Sequence, residues 1–219
     1  MPAASSFLVP FRGEREIEAA LPSVVAHLAS GGVLAYPTET VYGLGCALNA
    51  DAIARLTTLK SRPLTQPYIV LIADAGMLPL LGVALDDVSR GLVDRYWPGP
   101  LTLVLPSHAA FPGVTGPHGE IAVRWTPHAG VRRIIRAFGA PITSTSANRH
   151  GLPPLGTAAE ILAQWHDAVV AGEVLVLDGG TLPPSSPSTV VDCAGPHPRV
   201  IREGKIGLEE LRRIVPGLR

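Results

Sequence analysis

Residues 33–45 read VLAYPTETVYGLG. Val33–Tyr36 is a short apolar run of the kind a fully buried strand shows, and it breaks into Pro37, hydroxyls and two glycines. In front of it Gly31-Gly32 closes a helical stripe made by Ile17, Leu21, Val24 and Leu28. Pro22 predicts that this helix either kinks or restarts with the proline in its first turn. A helix feeding a buried strand sets the theme for the rest of the chain. A second helix is expected over Ala50–Leu59, with Ile53, Leu56 and Leu59 on one face. Strands follow at Ile69–Ala73, Leu101–Leu105, Ile121–Arg124, Ile142–Ser144, Val174–Leu177, Thr189–Asp192 and Val200–Arg202. Helices fit Asp86–Tyr96, Ala129–Phe138, Thr157–Gln164 and Leu208–Val215. This mixture argues for an α/β fold with one sheet covered by helices. Leu182–Ser188 reads as a surface loop, so residues 1–219 are expected to form one domain.

Composition narrows the function classes. The chain has 219 residues, 47% of them hydrophobic and 16% charged, which excludes a disordered polymer. Eighteen basic and eighteen acidic residues cancel, which argues against a strongly basic nucleic-acid wrapper. Cys46 and Cys193 have no metal-ligand spacing and are too few for a secreted disulfide scaffold, so the cytoplasm is the expected location. The start, MPAASSFLVPFRGERE, does not read as a signal peptide. The most apolar stretch, Ile69–Leu85, is interrupted by Asp74, Gly76, Pro79 and Gly82; it reads as a buried strand and a short core helix, with no membrane association. Gly43-x-Gly45 lacks the third glycine of a dinucleotide fingerprint, and neither a phosphate-binding GxxxxGK[ST] loop, HExxH nor GxSxG occurs.

The remaining motifs are strand ends carrying polar groups. Residues 37–45 bring hydroxyls and flexible glycines to the end of a strand, either to approach a ligand or as a tight turn capped by a threonine. Lys60-Ser61-Arg62-Pro63 follows a helix. If it is extended, both cations share one side and call for an anion between them; otherwise they decorate a solvated helix end. Pro141–Asn148 begins as a strand and turns into small hydrogen-bonding side chains, with Ser144, Ser146 and Asn148 on one face if the extension persists. Arg124 ends the apolar run Ile121–Val123, where a charge is seldom left without a partner. Trp97-Pro98-Gly99-Pro100 reads as an aromatic lid and a rigid turn.

Taken in order, YPTETVYGLG (36–45), KSRP (60–63), WPGPLT (97–102), AVR (122–124), STSAN (144–148) with GLPP (151–154), STVVD (188–192) and Arg202 to Gly204 resemble the YrdC-like family, the threonylcarbamoyl-AMP synthases. The resemblance covers about Gly31 to Gly204. It implies a twisted, mixed, mostly open sheet flanked by helices, with a concave basic cleft, in the short single-domain form. It also implies a nucleotidyltransferase that makes L-threonylcarbamoyladenylate and pyrophosphate from ATP, L-threonine and bicarbonate, for the t6A modification of tRNA. On the family's motif, Lys60 and Arg62 would neutralise carbamate and phosphate. Thr38, Arg124, Ser144 and Ser188 would position threonine; Arg62, Gln66, Ser146, Asn148 and Arg202 would hold the nucleotide. No metal cage is implied, Mg²⁺ riding mainly on the ATP phosphates with Glu39 as an outer ligand. A transient contact with tRNA or with the downstream transferase completes the expected partners.

Three positions depart from the family pattern. Leu71 stands where long members often carry a threonine-contacting histidine, and Glu120 stands where Thr or Ser is usual and is expected to point away from the site. Arg149-His150 replaces a smaller pair. Two other classes compete: a non-catalytic RNA-binding module, disfavoured by zero net charge and 5% aromatics, and a carbamoyl-transfer domain, which would need further domains.

Overall fold

Helix α1, Glu14–Ala29, runs through Pro22 as one element. Pro22 and Glu18, whose carbonyl loses its partner, both lie on the exposed side, where water replaces the missing bond. The expected restart is not present. A computed structural model describes residues 7–63, 66–149 and 151–219. Met1–Ser6 of the N-terminal reading and His150 of the Arg149-His150 pair lie outside the described residues.

The strands are β1 Leu8–Pro10, β2 Val33–Tyr36, β3 Gly43–Gly45, β4 Ile69–Ile72, β5 Leu101–Pro106, β6 Glu120–Trp125, β7 Ile142–Ser146, β8 Val174–Asp178, β9 Thr189–Asp192 and β10 Arg199–Arg202. The later helices are α2 Ala50–Lys60, α3 Asp87–Tyr96, α4 Ala129–Phe138, α5 Ala158–Gln164, α6 His166–Val170 and α7 Leu208–Arg212. All ten strands form one sheet in the order β1-β8-β2-β3-β7-β4-β6-β5-β9-β10. Four of its nine strand pairs are parallel and five antiparallel, the expected mixed sheet. Among the described residues β1 and β10 are the outermost strands, and the Val200 amide of β10 donates to the Arg219 carbonyl at 2.6 Å.

Strand alternation divides the core. Leu34, Tyr36, Leu71 and Ala73 pack with Val24 and Leu28 of α1 and Ile134 of α4. Their neighbours Val33, Ala35, Val70 and Ile72 face the opposite layer, with Ile53 and Leu56 of α2, Leu92 of α3 and Ile161 of α5. No helix among the described residues is long and apolar enough to cross a membrane.

Two local readings are corrected and a third is made specific. Residues 43–45 form strand β3, between β2 and β7, where a turn was one expectation. A β-carbon on Gly45 would lie 2.0 Å from the Thr143 carbonyl oxygen, so only glycine allows β7 this close. Lys60 to Arg62 is not extended: Lys60 is the last residue of α2, and Ser61 takes a left-handed conformation at φ 48°. Lys60 is not a solvated helix end either, being 4% exposed. The short core helix after β4 is a 3₁₀ segment, Ala75–Leu81, with Pro79 inside it.

Candidate active site

Where α1 and α4 stop covering their face of the sheet, a cavity of about 210 Å³ opens. Its wall takes Thr38, Thr40, Val41 and Gly43 from the β2–β3 region, Ile69 from β4, and Arg124 from β6. Ser144, Thr145 and Ser146 of β7, Pro187 and Ser188 before β9, Arg202 of β10, and Arg62 beyond α2 complete it. Seven of the residues singled out from sequence therefore meet: Thr38, Arg62, Arg124, Ser144, Ser146, Ser188 and Arg202. Three guanidinium groups share this wall, and among the described residues no carboxylate does.

Each element presents its group for a local reason. Thr38 caps the turn after β2: its Oγ1 donates to the Val41 carbonyl at 2.6 Å and accepts from the Val41 amide at 3.2 Å. The threonine-capped turn and the ligand-facing strand end are thus the same structure. Arg62 is clamped by three hydrogen bonds, from Nε to the Gln66 carbonyl, from Nη2 to the Pro67 carbonyl, and from Nη1 to Thr145 Oγ1, each 3.1 Å. Its guanidinium lies 4.8 Å over the Tyr68 ring, and burial lowers its pKa. At the other side Arg202 donates from Nη2 to the Ser188 carbonyl at 2.9 Å, and Ser188 Oγ lies 2.9 Å from Thr102 Oγ1. Gly204 permits this approach, since a β-carbon there would sit 2.3 Å from the Pro187 carbonyl oxygen. Arg124 donates from Nε to the Gly99 carbonyl at 3.1 Å and pairs with Glu39. Burial, with Arg202 adding to it, brings its pKa down to about 10. The Trp97–Pro100 segment therefore does more than lid the core, because its Gly99 carbonyl orients a cavity arginine.

Three expected residues lie off the wall. The Lys60 ammonium is behind β7, donating to the Ser146 carbonyl at 2.7 Å and to that of Asn148. Burial first, and Arg62 second, push its pKa down to about 8. Asn148 is buried and donates from Nδ2 to the carbonyls of Arg149 and Leu152. Gln66 is exposed, and its backbone carbonyl fixes Arg62. Glu39 pairs with Arg124; among the described residues no three His, Cys, Asp or Glu cluster as a metal site. Glu120 does point away, accepting from the His118 amide at 2.9 Å. Leu71 is buried under α1 and α4. Thr40, Ile69 and Thr145 line the cavity without having been singled out; the alternation of Thr40 with Thr38 was the available signal.

Comparison with known proteins places this geometry. The Sua5/YciO/YrdC family model, described as telomere recombination, matches residues 26–204. A Bacillus subtilis (strain 168) protein named threonylcarbamoyl-AMP synthase is 38% identical over 89% of this chain and 56% of its own length. A Chromohalobacter salexigens protein of the same name is 40% identical over 78% of this chain and 91% of its own. The solved structure of Pyrococcus abyssi Sua5 complexed with L-threonine superposes with a TM-score of 0.85 at 33% identity, covering 97% of this chain and 61% of that one. The chain thus spans little more than half of the longer relatives it matches and most of the shorter one.

Proposed function

The chain belongs to the Sua5/YciO/YrdC family, and from that premise we propose that it is a nucleotidyltransferase forming L-threonylcarbamoyladenylate and pyrophosphate from ATP, L-threonine and bicarbonate. The observation that carries this is the meeting of Arg62, Arg124 and Arg202 with the hydroxyls of Thr38, Ser144 and Ser188 on one wall free of carboxylates among the described residues.

The chemistry needs such a wall. The threonine amine condenses with bicarbonate, losing water, to give a carbamate; a carbamate oxygen then forms a bond to the α-phosphorus as the bond to pyrophosphate breaks. Threonine carbamate and ATP are both anions and repel each other, so positioning and charge neutralisation supply most of the catalysis. In this reading Arg124 takes the threonine carboxylate, while Thr38, Ser144 and Ser188 orient the amino acid. Arg62 faces carbamate and phosphate, and Arg202 and Ser146 the nucleotide. Lys60 acts from behind the wall: its ammonium fixes the carbonyls of Ser146 and Asn148 and adds positive potential beneath them. Mg²⁺ enters as the ion of MgATP, held by phosphates and water, which suits a wall lacking acidic ligands among the described residues. The product would feed t6A synthesis on tRNA in the cytoplasm. The RNA-binding alternative is not favoured, since the relatives are named as synthases.

The test follows pyrophosphate release with ATP, threonine and bicarbonate, with each omitted in turn, and detects the adenylate by mass spectrometry, repeated with serine. Release that requires both threonine and bicarbonate is expected. Release indifferent to their omission would overturn the assignment.

A further inference from the structure

Glu39 stands between Thr38 and Thr40, which both line the cavity, yet it is not itself on the wall. Its carboxylate reaches two partners on β6 and just beyond it. Oε1 pairs with Arg124 Nη2, and Oε2 accepts from Thr126 Oγ1 at 3.3 Å. Thr126 is fully buried and its hydroxyl accepts from the His128 amide at 3.2 Å, so this anchor is tied to the start of α4. The Arg124 guanidinium is therefore gripped by the Gly99 carbonyl at Nε and by Glu39 at Nη2. Pairing Arg124 with a carboxylate off the wall offsets the cost of burying its charge without facing an anionic substrate with a like charge.

We propose that Glu39 is a positioning residue for threonine recognition, setting the orientation of Arg124 and the placement of the Thr38 and Thr40 hydroxyls; this rests on the reading under Proposed function. The E39Q side chain keeps the size but not the charge of glutamate, leaving Arg124 without its counter-ion and free to swing. The amino acid's carboxylate then meets a misplaced partner, whereas the nucleotide, held by other residues, does not.

The experiment measures pyrophosphate release by the full chain as wild type, E39Q, E39D and T126V, with separate KM values for threonine and ATP, kcat and thermal melting. In E39Q the threonine KM rises at least about tenfold, while the ATP KM and kcat at saturating threonine change less than about threefold. E39D, which retains the charge, falls between wild type and E39Q. An unchanged threonine KM in a folded E39Q, or an equal rise for both substrates, overturns the proposal. Should E39Q fail to fold, T126V decides: losing one of the two Glu39 contacts raises the threonine KM about threefold with the ATP KM unchanged, and no rise overturns the proposal. An inactive wild type removes the functional reading and this inference together; an active wild type with an indifferent E39Q removes this inference alone.

Discussion

Two stretches of one sheet face share a pleat but do different work. Leu71 on β4 stands opposite Ile142 on β7, and both are buried beneath α1 and α4. One step along the same alternation, Ile69 stands opposite Ser144, and both line the cavity. A move of two residues, about 7 Å along a strand, carries the face from core to site. Arg124 marks the border, its backbone in register with Leu71 and its guanidinium on the cavity wall. The difference teaches that the site is a core surface whose helical cover has ended, with side chains changed to suit. Rigid strands hold the polar groups because the neighbouring apolar ones are locked in packing.

The separation can be broken by substitution. The largest effect is expected under the helices: Leu71→Ala should cost about 2–5 kcal/mol of stability, read by denaturant unfolding, while the folded enzyme keeps its threonine KM. A sharp loss of threonine affinity at unchanged stability would erase the border. At the border itself, Arg124→Met should lower kcat/KM about 100-fold, measured by pyrophosphate release, and should also lower the melting temperature, because Glu39 loses its counter-ion.

Lys60→Ala or Arg62→Ala should reduce turnover at least about tenfold, near 1.4 kcal/mol. Lys60 adds a pH signature. Its pKa falls from 10.5 to about 8 on folding. Between those values the unfolded chain holds a proton that the folded chain has released, so this group's contribution to stability rises with pH. Activity that depends on the ammonium should fall as pH passes about 8. Melting and rate profiles of wild type and Lys60→Met should diverge in opposite directions there, and parallel profiles would remove Lys60 from the mechanism. The smallest effect belongs to the bare stretch: Ser144→Ala should raise the threonine KM about fivefold, the worth of one hydrogen bond, with the melting temperature unchanged.

Much of the fold was legible because strand and helix periods are local. Val33–Tyr36, Thr189–Asp192 and Ala129–Phe138 fall where the apolar pattern puts them. β3 was harder to read, since two glycines in three residues look like a turn until β7 is seen pressing against Gly45. α6, only five residues long, carries too little periodicity to be read. The candidate site divides in the same way. Thr38, Arg62 and Ser188 stand just beyond or before element ends that the sequence marks with proline, glycine or hydroxyl residues, Ser144 stands in the hydroxyl-rich run of β7, and all four line the cavity.

By itself the amino-acid sequence determined most of the element types and one sheet under helices, which depend on periods of a few residues, and its ordered motifs carried the resemblance that implied the family and a mixed sheet. Only the tertiary structure decided that Lys60 faces the backbone of β7, that Asn148 and Gln66 stand off the wall, and that Glu39 backs Arg124. Those outcomes depend on where a side chain's charge finds its lowest energy among groups up to 88 residues away along the chain, which no local pattern encodes.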